Sequence, residues 1–409
     1  MLFRFPLPHP RRLGAGLIGV SLVLALSGCP ATPSAGPGQT GPTPDPAYAC
    51  PAGDLLIEGN PTDQTLVETR AADYSAMCRN AGRLLVSAAR DAGTSSFLNG
   101  LVHISAADSP LDATQQEQAK VRCLSHPAWH LPVTVDPVAL VYRIDGVTDL
   151  TLRPETLAKV FSGIITHWND ADIVADNPGV RLPAQRIEVV PRSGRTGLTE
   201  AVGSYLSREA PAQWTVGANP AWRGQGQARA TAQEVLDTVS TTPGALAYVE
   251  YSQLTTEVLS PTPTPGAGTP NGESAQSPGA TPTAGTTASP RPPASSTPAL
   301  VRLLRNDAPV ALTPTSADAA VQGMRAWEGP DLVVDPASLG EAPGAWPIHR
   351  VSYQVLCSAG MRADVTALEK DWLTYLVDDN TQSTFAEEGR IALPAPLRDR
   401  VRQSVAALR

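Results

Sequence analysis

An arginine followed at short spacing by glycines and threonines is the most suggestive chemistry in the chain. Residues 187–206 read IEVVPRSGRTGLTEAVGSYL. Arg192 stands at the exit of an apolar strand over 187–190, Gly194 and Gly197 permit a tight turn, and Thr196 and Thr199 bracket the start of a helix. The first turn of a helix offers unpaired N–H groups and about half a positive charge, which attract anions. A guanidinium beside it adds a planar, permanently charged fork matched to phosphate, sulfate or carboxylate. The same pattern also fits a capped helix with a solvent-facing arginine, because Gly/Ser/Thr turns commonly precede helices.

Other chemistries have weaker support. There is no G-x-S-x-G elbow, P-loop or dinucleotide-binding glycine fingerprint. His126 and His130 are four apart, but Pro127 disfavours the regular helix that would align them on a metal. The carboxylates form no pattern that demands acid–base catalysis, so the chain does not read as an enzyme and implies no cofactor or metal. A net charge of -8 argues against a nucleic-acid surface and gives no electrostatic case for binding anionic membranes.

The arginine loop needs a scaffold, and 409 residues suffice for one large or two medium domains. Period-two and apolar runs predict strands over 55–57, 83–88, 102–107, 131–142, 245–250, 300–304 and 351–357. Helical spacing occupies 62–81, 93–100, 114–121, 153–161, 231–239, 365–377, 381–389 and 397–408. Leu368, Trp372 and Leu376 share one face of the 365–377 helix. Strands alternating with helices imply an α/β fold with largely parallel sheets.

The first 28 residues read as a targeting segment. Arg4, Arg11 and Arg12 precede an apolar run over 13–26 that is short for a membrane span. The run ends in Leu26-Ser27-Gly28-Cys29, which resembles the lipobox of bacterial lipoproteins. Cys29 would then become the lipid-modified N-terminus, anchoring the protein outside the cytoplasm. Residues 29–48 form a Pro/Gly/Thr-rich tether, and residues 258–298 a disordered Pro/Thr/Ser-rich insertion to which no chemistry is assigned. Cys50, Cys78, Cys123 and Cys357 remain, an even number in an oxidising compartment, so two disulfides are expected. Three pairings are open.

In this order, the pieces resemble the PstS-like phosphate-binding lipoproteins of bacterial phosphate ABC importers. Three stretches carry the likeness: HISAADSPLD (103–112), LRPETLAKVFSGIITHWNDADIVADNPGVRLPAQRIEVVPRSGRTG (152–197) and TPGALAYVEY (242–251). The second holds the F-x-G-x-I-x-x-W-x-D segment at Phe161, Gly163, Ile165, Trp168 and Asp170. The resemblance implies a two-lobed, type II periplasmic-binding-protein fold, each lobe a mixed sheet flanked by helices, with the ligand cleft at the hinge. Lobe one would comprise 49–138 plus 347–409, and lobe two 139–346.

The resemblance also implies a site. Arg192 matches the family's phosphate arginine, Thr196 and Gly197 its Ser-Gly pair, Asp108 the aspartate that accepts a ligand hydrogen bond, and Thr62 its first-loop threonine. A buried carboxylate facing an anion is repulsive unless the ligand brings a proton. Phosphate does near neutral pH and sulfate does not, so Asp108 would reject sulfate.

Three departures stand out. Arg90 falls near a family serine, where it would overfill the pocket, add a guanidinium or pair with Asp108. Leu198 replaces a threonine, and Gly194 or Arg195 stands where a loop carboxylate is usual. Ala230 to Glu234 replace an Asn-x-Gly turn. The expected function is capture of inorganic phosphate by a monomeric, lipid-anchored binding protein that docks on ABC permease subunits. The alternative is the same fold with a degenerate pocket, serving as a surface sensor or interaction protein, or binding another oxyanion or an organic phosphate.

Overall fold

The computed structural model describes residues 48–79, 81–88, 94–254 and 298–409. The leader, Cys29, the tether before residue 48, Arg90 and the insertion up to residue 297 lie outside the described residues.

Chain order begins β1 (Gly53–Gly59), α1 (Gln64–Met77), β2 (Gly82–Ala88), α2 (Thr94–Leu98), β3 (Ile104–Ala107), α3 (Ala113–Arg122) and β4 (Ala128–Tyr142). It continues with β5 (Leu150–Leu152), α4 (Pro154–Phe161), α5 (Ala171–Asp176), β6 (Glu188–Val190), α6 (Gly197–Glu209), α7 (Ala232–Thr241) and β7 (Ala245–Glu250). After residue 297 come β8 (Ala299–Arg305), β9 (Ala308–Val310), α8 (Pro314–Ala320), β10 (His349–Cys357), α9 (Ala363–Leu376), α10 (Asp379–Glu387) and α11 (Ala395–Ala407).

Strands pair along the path β2-β1-β3-β10-β4-β7-β6, with β8 joined to β4, β5 and β9. The sheet is mixed rather than largely parallel. β1 runs parallel to β2 and β3, and β6 to β7, but β10 is antiparallel to β3 and β4, and β4 to β7. The antiparallel pairs centre on β10 and on β4, which changes partner along its length. β4 pairs with β10 over Ala128 to Pro137, then with β7 from Val138 onward. Pro137 lacks an N–H, so the ladder changes partner where a donor is already missing. A register shift between Ser352 and Tyr353 bends the pair further upstream.

β4 and β10 are buried almost throughout, in keeping with strands covered on both faces. Around them Trp168, Trp346 and Trp372 fill the core, and each places its indole N–H on a buried acceptor: Gly244 O, Val138 O and Gln354 Oε1. The cysteines pair as Cys50–Cys78 and Cys123–Cys357, the second tying α3 to the end of β10. Among the described residues, no helix is long and apolar enough to cross a membrane.

Candidate functional site

The arginine loop hangs between β6 and α6. Gly194 adopts φ +77°, a conformation that side chains rarely accept, and so supplies the turn. Segment 219–230 pins the loop: Ser193 N donates to Arg229 O at 2.8 Å, and Thr196 N to Pro220 O at 3.0 Å. Arg192 is therefore not a solvent-facing residue; only 2% of it is exposed. Its Nη1 donates to Glu250 Oε2 at 3.4 Å and its Nη2 to Ala230 O at 3.1 Å, while Nε has no protein partner. Burying a guanidinium is tolerable only with such a counter-charge. Glu250, at the end of β7, is the carboxylate paired with Arg192.

Thr196 caps α6, accepting from Thr199 N at 3.1 Å in extended backbone geometry. Its hydroxyl reaches Thr199 Oγ1 at 3.0 Å, which meets Tyr248 Oη at 2.9 Å, and Tyr248 Oη also accepts the Arg192 N–H at 3.3 Å. Cap and arginine thus share one buried hydroxyl chain. Leu198 points into the core and offers no donor.

Gly197 meets the far side of the site. A Cβ on it would lie 2.0 Å from the Asp108 carbonyl oxygen, so only glycine allows this approach. Its amide lies against the Asp108 carboxylate and favours the ionised form, and Asp108 Oδ2 accepts from Thr62 Oγ1 at 2.7 Å. Asp108 Oδ1 has no protein partner. Burial pushes the Asp108 carboxyl up to about 6; Arg350 opposes this, Asp63 adds to it, and the Thr62 hydroxyl and Gly197 amide oppose it. The Thr62 hydroxyl also contacts Asn60 Oδ1.

Asp108 thus meets Thr62 and Gly197, and Arg192 is linked to Thr196 at the same helix start through Thr199 and Tyr248, whereas Arg90 lies outside the described residues. Sequence reasoning missed Asn60, Asp63, Asp136, Glu250 and Arg350, which form a buried polar bed beneath them. The available signal was a charge inside a largely apolar strand, Asp136 in β4 and Glu250 in β7; Arg350 sits among His349, Ser352 and Gln354 in β10 and stood out less. Ala230, in the altered turn, supplies the carbonyl that holds Arg192.

His126 and His130 make no metal pair. His126 is exposed, and His130 accepts Leu111 N at 3.0 Å through Nε2 and meets Asp331 at 2.8 Å through Nδ1. Among the described residues, the grouping with metal-like spacing is Cys50, Cys78 and Asp371, in which both sulfurs are spent on a disulfide.

A family model described as the PBP superfamily domain matches residues 44–380. The phosphate-binding protein PstS 3 of Mycobacterium leprae is 27% identical over 397 residues, covering 96% of this chain and 97% of the relative. PstS 3 of Mycobacterium tuberculosis is 29% identical, covering 78% of this chain and 76% of the relative. Among solved structures, the phosphate-bound periplasmic protein PfluDING superposes with a TM-score of 0.62 at 17% identity, covering 86% of this chain and 93% of that one.

Proposed function

The chain belongs to the PBP superfamily, and from that premise we propose that it is an extracytoplasmic solute-binding protein that captures inorganic phosphate for an ABC importer. Lipidation at Cys29 would hold it at the membrane. The names of its relatives support the ligand. The observation that carries the reading is the meeting of a buried carboxylate with a helix N-terminus, Asp108 with Gly197, on a loop whose buried arginine, Arg192, is charge-paired with Glu250.

The chemistry follows from these groups. Arg192 and the first amides of α6 stabilise ligand oxygens that carry no proton. Ionised Asp108 accepts the ligand's proton, and the Thr62 hydroxyl orients it. Sulfate has no proton to give and would face Asp108 as an unpaired like charge. The lobe boundaries we favour, 49–138 plus 347–409 and 139–346, agree with the partner switch of β4 at Val138 and make β4 a strand that crosses the hinge, with β10 beginning just past the return crossing.

The test is to denature the purified protein and assay the released inorganic phosphate colorimetrically. Near-stoichiometric release from the wild type, and none from Arg192→Met, is expected. A wild type that carries none and takes up none on incubation would sink the proposal.

A further inference from the structure

A charge inside a fully covered strand is costly unless it is paired. Arg350 in β10 has a side chain 0% exposed. Its Nη1 donates to Asp63 Oδ1 at 2.9 Å and Ser352 Oγ at 3.0 Å. Its Nη2 donates to Asp136 Oδ2 at 3.3 Å and reaches the Thr62 carbonyl oxygen at 3.5 Å. Asp63 also accepts from Ser352 Oγ at 2.6 Å and from Asn60 Nδ2 at 2.9 Å. Asn60 Oδ1 in turn takes the amides of Thr62 at 2.7 Å and Asp63 at 3.0 Å. Loop 60–63 is thereby fastened to β4 and β10, and the Thr62 hydroxyl is left facing Asp108.

We propose that Arg350 is a specificity-determining positioning residue of the anion site: by clamping loop 60–63 to β4 and β10 it fixes the donor–acceptor pattern that Thr62 and Asp108 present to the ligand. This rests on the phosphate reading of the site. Charge gives Arg350 a second, measurable effect. Asp108 faces Asp63 on the loop before α1, Arg350 on β10 and the Gly197 amide of α6. Glu200 lies one turn further along α6, bonded to the Ser109 hydroxyl at 2.7 Å, and Arg192 with Glu250 sits on the lobe-two side. Arg350 favours the Asp108 anion and Asp63 disfavours it, so removing one or the other moves the ligand's proton acceptor in opposite directions.

The experiment titrates full-length wild type, Arg350→Met, Arg350→Lys and Asp63→Asn with phosphate from pH 5 to 8.5, with sulfate as competitor and a thermal melt of each variant. Arg350→Met should move the acid limb of phosphate binding to higher pH, on the order of half to one unit, and narrow the phosphate-over-sulfate ratio about tenfold. Arg350→Lys should restore part of both. Asp63→Asn should move the limb to lower pH. If Arg350→Met does not fold, the Lys and Asn variants carry the test. A uniform loss of affinity at every pH, an unmoved limb in Asp63→Asn, or shifts of the same sign overturns the inference. A wild type that binds no phosphate refutes the phosphate reading itself, a different failure from variants that do not shift.

Discussion

One methyl group at Gly197 tests whether the two sides of the site meet as described. The added Cβ would stand 2.0 Å from the Asp108 carbonyl oxygen, 2.7 Å from its carbonyl carbon and 2.9 Å from Cγ. Ordinary contact begins near 3.4 Å, so the strand-end loop has to withdraw by about 1.4 Å. The first two obstructing atoms are backbone, and no side-chain rotation relieves them. Helix propensity alone predicts no harm, because alanine in a helix is favoured over glycine by up to about 1 kcal/mol; the overlap sets a cost of about 1–3 kcal/mol against it. Site physics predicts lost binding. Withdrawal moves the Asp108 carboxylate away from the Gly197 amide and off the ligand, costing its hydrogen bond to the ligand. A hydrogen bond to a charged group contributes about 1.5–3 kcal/mol, so phosphate affinity should fall about 10- to 150-fold at roughly 1.4 kcal/mol per decade. The assay is calorimetric phosphate titration of Gly197→Ala beside the wild type, with thermal melts to establish folding. Wild-type affinity in a folded Gly197→Ala protein would refute the claim that Asp108 and Gly197 close on one ligand.

Arg192→Met should abolish phosphate binding and, by stranding Glu250, lower stability by about 3–5 kcal/mol; Arg192→Met/Glu250→Gln should recover stability in a denaturant melt but not binding. Asp108, pushed up from 3.8 to about 6, holds stability that is fully present below pH 3.8 and lost as pH rises through 6. Wild type should therefore lose on the order of 2–3 kcal/mol against Asp108→Asn across that window; parallel stability–pH curves would contradict the burial argument. Burial pushes Glu369 in α9 up to about 8, partly offset by Arg122, and the sign is the same. Glu369→Gln should gain on wild type as pH rises from 4.5 to 8, and a pH-independent difference in melting temperature would refute that origin.

The parts of the site carried by local sequence were legible, and those made across the sheet were not. Arg192, Thr196 and Gly197 lie within six positions, so one turn and one helix cap bring them together. Asp108 and Thr62 each sit beside an element end, and the family resemblance singled them out. Glu250 pairs with a residue 58 positions away and Arg350 with one 287 away. A charge in an apolar strand signals that a partner exists but does not name it. For the fold, β4 was visible as a long apolar run, and Pro137 marks where its ladder breaks, but which strand takes over from Val138 depends on packing across the sheet. β5 and β9 span three residues each, too short for a period to show.

The most direct measurement is calorimetric titration of the purified protein, freed of bound anion by reversible unfolding, first with phosphate and then with sulfate near neutral pH. Micromolar or tighter phosphate binding with no sulfate heat is the predicted result, because ionised Asp108 accepts a proton that only phosphate brings. Equal heats from both anions, or silence from phosphate, would contradict it.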